Sequence, residues 1–312
     1  NKILLYFMKK FEKYIKTIYK DFPDFNISSI KKTGEGDNSK AFIINENYIF
    51  RFPKRKEVKQ QVQREIAVLP KIKSYVDLKI PQFEFISPKI NFVGYKTISG
   101  TPLTFEIYNS LNKKHQKLIR QSLANFLSQL HHIDTSIFND CNLDIMDPKE
   151  EYAYNFEEAK KYIYPNISKP KQKIITQLFT EYLNNPENFN YTPTLIHNDF
   201  SKDHILFDTV NKPRLPAGRE ITGIIDFGDI AFGDPDYDLM YLQDEFGDYF
   251  LKKFFKMYKP KDKKNLLRKL YFFSLANKIQ IILGNRNDTN SEDFKNGYKE
   301  LNVWLKKFNS KK

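Results

Sequence analysis

A single cysteine, Cys141, stands in a chain of 312 residues, so no intramolecular disulfide can form. No Cys/His cluster has the spacing of a structural zinc site. Stability must come from packing, and a reducing compartment fits. Long apolar runs are missing too. The run Ile3 to Met8 is too short for a signal-peptide core with its cleavage site, and no segment approaches a membrane span. The expectation is a cytoplasmic protein with no membrane partner. No internal repeat is visible. The formal net charge is +13, yet no basic stripe interleaved with aromatics accompanies it. The lysines are scattered among Asn, Ile, Tyr and Phe, and only the tail Lys306 to Lys312 is dense in them. Nucleic acid is therefore not an expected partner.

What the chain does have is apolar content, 40% hydrophobic and 15% aromatic residues, which separates it from disordered, highly charged sequences. Its length is about twice that of a typical domain, which suggests two domains or one two-lobed unit. Charge is also unevenly distributed. From Asp226 to Leu251 there are eight acids (Asp226, Asp229, Asp234, Asp236, Asp238, Asp244, Glu245 and Asp248) and no Lys or Arg. Such an island repels itself unless metal ions, helix N-termini or cationic ligands neutralise it.

Periodicity divides the chain. Phe7, Phe11, Ile15, Ile18 and Tyr19 recur at helical spacing ahead of Pro23. Ile27 to Thr33, Ala41 to Ile44 and Tyr48 to Phe52 read as an antiparallel meander, with Gly34 to Asn38 and Asn45 to Asn47 as its turns. Val58, Val62, Ile66, Leu69 and Ile72 make Glu57 to Lys73 an amphipathic helix, with Glu65 bordering the buried stripe. Strands are expected at Gln82 to Ile86 and Phe92 to Ile98, and Ser99 to Pro102 breaks the pattern. Beyond it come helices over Leu118 to Leu130, Tyr152 to Tyr164 and Gln172 to Leu183. Strands return at Ile205 to Phe207 and Ile221 to Ile225, around the polar hairpin Asn211 to Glu220. His131 and His132 are adjacent, point in different directions and cannot jointly chelate. Asp238, ahead of Leu239 to Leu242, reads as a helix N-cap.

The chemistry concentrates in two segments. His197-Asn198-Asp199-Phe200-Ser201-Lys202-Asp203-His204 is a polar loop between apolar stretches, and Ile224-Ile225-Asp226-Phe227-Gly228-Asp229 brings a second acid from a buried strand. The spacing His-x-Asp-x4-His followed by Ile-Asp-Phe-Gly-Asp resembles the aminoglycoside phosphotransferase family, and particularly its 2''-phosphotransferases. The likeness extends to the glycine turn, Phe50 to Lys54, Val93-Gly94-Tyr95 and Asp234 to Asp238, and so covers most of the chain.

The resemblance implies an α+β, protein-kinase-like, two-lobed fold. Its β-rich nucleotide-binding lobe would be residues 1–98, and its mainly helical lobe, with the catalytic loop and acceptor site, residues 99–312. The family's reaction moves the γ-phosphate of GTP or ATP to an aminoglycoside hydroxyl and confers antibiotic resistance. Phosphoryl transfer needs an in-line hydroxyl, a clamped triphosphate and metal ions that neutralise developing charge. Asp199 would accept or orient the hydroxyl proton, and Ser201 would contact the transferring phosphate. His204 and Asp226 would hold Mg²⁺, the family's 2''-members also having His there, and His197 would brace the loop. Gly34, Gly36, Asn38 and Ser39 would cover the nucleotide, with Ile49 as roof of the purine pocket. Arg51, paired with Glu65, would grip phosphate, while Lys54 belongs to the surface. Tyr95 stands at the gatekeeper position, with backbone contacts at Lys96 and Ile98.

An aminoglycoside carries several ammonium groups. Asp229, Asp244, Glu245 and Asp248 would meet them, with Asp199 touching the acceptor ring and Asn277 standing where relatives carry an acid. A monomer is expected, because no heptad run appears. Rival readings are a kinase for a macrolide, choline-like or sugar acceptor, since one fold hosts many acceptors, or a nucleotide-binding pseudokinase.

Overall fold

The computed structural model describes residues 9–35, 39–146, 148–208, 221–260 and 263–309. Along the chain run α1 (Glu12–Asp21), β1 (Ile30–Glu35), β2 (Ser39–Ile44), β3 (Tyr48–Pro53), α2 (Lys56–Ile72), β4 (Phe83–Ile86) and β5 (Val93–Lys96). There follow β6 (Thr101–Pro102), α3 (Phe105–Ser110), α4 (Lys113–His131), α5 (Pro148–Tyr162), α6 (Lys169–Leu183), β7 (Thr194–Ile196), β8 (Ile205–Phe207) and β9 (Ile221–Ile224). The series ends with β10 (Ala231–Gly233), α7 (Asp238–Tyr258), α8 (Lys263–Gly284) and α9 (Glu292–Asn309). The hairpin expected at 211–220 lies outside the described residues. Packing groups these elements into two compact units. The first comprises Asn1–Leu143 with His197–Ile230, and the second Asp144–Ile196 with Ala231–Lys312.

In the first unit five antiparallel strands order as β1-β2-β3-β5-β4. Side chains alternate across a strand, so β3 sends Phe50 and Phe52 into the core with Phe42 and Ile44 from β2. Phe11, Ile15 and Ile18 of the N-terminal helical segment cover that face. Phe50 and Gly94 are cross-strand partners, and a Cβ on Gly94 would stand 2.9 Å from the Phe50 ring, so only glycine lets the ring lie there. The opposite face carries Ile49 and Arg51, with their partners Tyr95 and Val93. One sheet thus divides an aromatic core from a face with polar reach.

The meander differs from the sequence reading at its start and at its first turn, where Gly34 and Glu35 pair with Ala41 and Lys40 and so extend both strands. Ile27 is buried but not in a strand, because Asn45 Oδ1 accepts from the Ser28 amide at 2.8 Å and the Ser29 amide at 3.2 Å, diverting both from the ladder. Asn45 and Glu46 both have positive φ, 53° and 61°, as primed hairpin turns need. α2 places Val58, Val62, Leu69 and Ile72 inside, with Glu65 fully buried beside them. Within the same unit β6, β8 and β9 form a small sheet, and β9 leads directly to Asp226.

The second unit is mainly helical, with α5, α6, α7, α8 and α9 and the short pair β7–β10. Its interior is aromatic: Tyr182 stacks on Phe272 at 3.7 Å, and Phe156 on Phe179 at 4.9 Å. The sequence reading of Asp238 needs correction. Asp238 is the first residue of α7 and is fully buried, with Tyr237 at the cap position. Asp234 does the capping one turn earlier, its Oδ1 accepting from the Asp236 amide at 3.0 Å.

α7 breaks at Gly247, where φ 78° and ψ 173° are values that essentially only glycine adopts. No atom lies within 4 Å of a Cβ added there, so a side chain would fit and only the backbone objects. Gly247→Ala is expected to lower stability by about 1–3 kcal/mol, read as a shifted urea midpoint with an unchanged slope. Among the described residues no helix is long and apolar enough to cross a membrane.

Candidate active site

Two tight segments of the first unit build the site. The loop after β7 carries Asn198 at φ 67°, and the turn after β9 carries Asp226 at φ 63°. Left-handed backbone at a non-glycine residue costs roughly 1–2 kcal/mol and persists only where neighbours enforce it. His197 is one enforcer. Its fully buried ring donates from Nε2 to the Ile225 carbonyl at 3.1 Å and accepts the Asp199 amide on Nδ1 at 3.3 Å. A neutral ring with both nitrogens so engaged ties the loop to the turn. Phe200, fully buried, stacks on Phe126 at 5.8 Å and anchors the loop from below.

Asp199, His204 and Asp226 come together. His204 Nδ1 donates to the Asp199 carbonyl at 2.9 Å and lies 3.4 Å from Asp199 Oδ2. Its other nitrogen, Nε2, keeps a lone pair and lies 3.6 Å from Asp226 Oδ2. Ser201 Oγ stands 3.3 Å from His204 Nδ1, beside the same ring. Fixing one imidazole nitrogen on a carbonyl is how proteins orient the other towards a metal. Asp226 is half-exposed, so its carboxylate has room for a further partner. Among the described residues no three His, Cys, Asp or Glu side chains form a cage for a metal ion. Mg²⁺ binds through one or two protein groups and completes its shell with water and substrate phosphate. The pair His204 and Asp226 fits such an ion.

Arg51 and Glu65 meet as the sequence suggested. Arg51 Nη1 donates to Glu65 Oε1 at 3.0 Å, and Arg51 Nη2 lies 4.0 Å from Asp226 Oδ1. Glu65 has no solvent exposure and Arg51 only 13%. Burial opposes the charge on Arg51, but Glu65, then Asp226, hold its proton more firmly than usual. Burial also pushes the Glu65 carboxyl up, with Arg51 pulling it back. The Phe227 backbone amide, next to Asp226, also pulls the Glu65 carboxyl back down. The Asp226 carboxyl is raised by burial, yet the Arg51 guanidinium beside it brings it below the ordinary range. Burial pushes the Tyr95 phenol up to about 12, so it stays a neutral wall on the Arg51 face.

Of the glycine-turn residues, Gly36 and Asn38 lie outside the described residues, Gly34 lies within β1, paired with Ala41, and Ser39 opens β2. Ile49 faces the same side as Arg51 and Tyr95. Lys96 closes β5 with its ammonium 3.2 Å from Glu84, and Ile98 follows beyond the strand.

The acids assigned to an acceptor divide between the units. Asp229 belongs to the first, where Gln61 Nε2 donates to its Oδ1 at 2.8 Å; burial, then Asp226, raises its carboxyl. Asp244, Glu245 and Asp248 lie on α7 and Asn277 on α8, in the second. There Asp244 is held by Lys278 at 2.6 Å and by Ser274 Oγ at 2.6 Å. Asp248 accepts from Tyr271 at 3.0 Å and Gln243 at 3.2 Å, and Asn277 donates to Tyr241 at 3.0 Å. Sequence reading missed Gln61, Asn198 and Lys278. Gln61 alone had a signal, lying one helical turn before Glu65.

The profile of a family described as phosphotransferase enzymes matches residues 33–272. Over 95% of this chain and 98% of the other, the structure is similar to the GDP complex of aminoglycoside 2'-phosphotransferase-IIIa, at 27% identity and a TM-score of 0.88. A GDP and kanamycin complex of APH(2'')-IIIa is similar at 28% identity and a TM-score of 0.86, covering 94% and 98%. Among curated proteins, the uncharacterized protein YcbJ of Bacillus subtilis (strain 168) is 22% identical over 211 residues, and the match spans 64% of each chain.

Proposed function

From a chain that belongs to the phosphotransferase enzyme family, we propose an aminoglycoside O-phosphotransferase of the 2''-type, using GTP or ATP with Mg²⁺ and conferring antibiotic resistance. One observation carries the reading: a single imidazole, His204, is bonded to the Asp199 backbone on one side and faces Asp226 on the other, with the Arg51–Glu65 pair alongside. In that arrangement the Asp199 carboxylate stands beside His204, which faces Asp226, and a buried cation is close by. It is what moving a phosphoryl group to a hydroxyl requires. The 2''-type assignment draws on the GDP and kanamycin complex of the similar enzyme.

In this reading Asp199 accepts the proton of the acceptor hydroxyl and aligns its oxygen, with Ser201 beside the transferring group. Arg51, aimed by Glu65, holds nucleotide phosphate. His204 and Asp226 hold Mg²⁺, which when bound neutralises charge on the phosphates. The sheet face of Ile49 and Tyr95, with backbone at Lys96 and Ile98, takes the purine, and Gly34, Gly36, Asn38 and Ser39 lie over the phosphates. Residues 1–98 then act as the nucleotide lobe and 99–312 as the catalytic and acceptor lobe, in a monomer. Asp244, Glu245 and Asp248 with Asn277 meet the acceptor's ammonium groups.

The test is nucleoside diphosphate release with GTP or ATP and Mg²⁺, with and without kanamycin, gentamicin or tobramycin. Aminoglycoside-stimulated turnover is expected, with GTP at least as effective as ATP. Nucleoside diphosphate release that no aminoglycoside stimulates would move the assignment to another acceptor, and a clear ATP preference would refute GTP as donor.

Lys278 offers a finer check. Its ammonium already sits on Asp244, where an acceptor ammonium would have to compete. A partly exposed pair is worth at most about 1 kcal/mol. Lys278→Met is therefore expected to lower the kanamycin KM by about two- to fivefold and leave kcat alone.

A further inference from the structure

We propose that Gln61 is a positioning residue for the metal-binding turn: from α2, one turn before Glu65, its amide clamps Asp229 and thereby holds Asp226 in its left-handed conformation. The proposal rests on the reading of Asp226 as a Mg²⁺ ligand.

Asp226 sits at φ 63°, so the chain must be gripped on both sides of it. On the upstream side the grip is visible. The Ile225 amide donates to the His204 carbonyl at 3.0 Å, and the Ile225 carbonyl accepts from His197 at 3.1 Å. On the downstream side three side chains converge. Gln61 Nε2 donates to Asp229 Oδ1 at 2.8 Å, Asn198 Nδ2 to the Asp229 carbonyl at 3.0 Å, and Arg64 Nη2 approaches the Gly228 carbonyl at 3.5 Å. Gln61 also lies flat over the turn, since a Cβ on Gly228 would stand 3.7 Å from its Cβ and 3.8 Å from its Cδ. α2 therefore reaches this turn from Gln61 and Arg64 while Glu65 aims Arg51 at the same Asp226.

This gives Asp229 a different job from the one its charge suggested. Its carboxylate oxygen is engaged by an uncharged amide on the helix that also carries Glu65. Asp229 serves the turn, and through the turn the metal pair, in place of an acceptor ammonium.

The experiment measures Mn²⁺ binding in the presence of GDP by electron paramagnetic resonance, alongside the unfolding temperature and steady-state kinetics. Gln61→Met keeps the bulk and removes the donor. It is expected to weaken Mn²⁺ binding about tenfold, within the range seen when residues supporting a metal ligand are lost, and to lower kcat while the kanamycin KM and unfolding temperature stay put. Asp229→Ala removes the same bond from the other end and should show the same loss, the double variant being no worse than either single one. Asp229→Asn keeps an oxygen for Gln61 and should lose less than Asp229→Ala. Unchanged Mn²⁺ binding in Gln61→Met, or losses in the two single variants that multiply, would overturn the clamp. A rise in kanamycin KM as the main effect of Asp229→Asn would return Asp229 to the acceptor. Failure of the unmutated protein to bind Mn²⁺ with GDP would strike the metal assignment instead, a separate outcome.

Discussion

Asp199→Asn is expected to slow kanamycin-stimulated turnover by about 10²–10⁴-fold, the usual contribution of a positioned general base, while GTP binding and the unfolding temperature stay unchanged. Asparagine fills the same space and keeps the backbone carbonyl that His204 Nδ1 bonds at 2.9 Å, so the metal pair should survive. What it removes is the carboxylate that can take a proton. The loss should fall on kcat and leave the acceptor KM nearly constant, because an interaction made only in the transition state leaves binding untouched. Single-turnover kinetics by rapid quench would separate chemistry from product release. A kcat within about tenfold of the unmutated protein would remove Asp199 from the base role.

The second large effect concerns folding. Lys269 of α8 lies 2.5 Å from Asp234 Oδ2 and 2.5 Å from Asp236 Oδ2, with only 6% of its side chain exposed. One ammonium thus serves two carboxylates, and Lys269→Met would strand both. Removing one partner from a buried ionic group costs about 3–5 kcal/mol, which should appear as a lower urea midpoint or outright loss of soluble protein.

The pH dependence gives this prediction a second readout. Burial pushes the Asp234 carboxyl up to about 6, with Lys269 pulling against it. The folded form therefore binds the Asp234 proton more tightly than the unfolded chain does. That stabilising contribution is fully present below the ordinary aspartate value of 3.8 and is lost as pH rises through about 6. Without Lys269 the carboxyl rises further. The destabilisation by Lys269→Met should accordingly be largest near pH 8 and shrink towards about pH 5, where protons replace the missing ammonium.

These predictions differ in how far the sequence announced them. Asp199, His204 and Asp226 declare themselves by spacing, because loop and turn are short and rigid enough for order along the chain to fix position in space. The same holds for α2, whose period put Glu65 beside the stripe of Val62 and Leu69, where burial then forces it onto Arg51. Local patterns stop there. Lys269 and Asp234 are 35 residues apart, and Gln61 and Asp229 are 168 apart. Neither pairing leaves a trace in composition or period, since each needs the tertiary structure to bring its halves together. α8 was hidden for another reason: Phe272, Phe273, Ser274, Leu275 and Ala276 are all buried in succession, so the amphipathic rhythm that reveals a helix is absent where it matters. At Ile27 the apolar pattern continues but the strand does not, because a side chain, Asn45, takes the next backbone amides.

The division into two compact units carries a consequence for how the protein is made. Each unit is assembled from separated stretches, 1–143 with 197–230 and 144–196 with 231–312. A chain leaves the ribosome from its N-terminus at about 5–20 residues per second, and domains tend to fold as they emerge. The five-stranded sheet can form early, since its pairings are local. The loop of Asp199 and the turn of Asp226 cannot join it until residue 230 is out, and by then 144–196 is already exposed and waiting for partners not yet synthesised. The nascent protein must therefore leave Tyr152, Phe179 and Tyr182 without their Phe272 and Phe273 partners for seconds after they emerge. Chaperone dependence and yield on slowing or speeding translation should follow that wait, and substitutions that make α5 and α6 less sticky should improve recovery without touching a single atom of the catalytic centre.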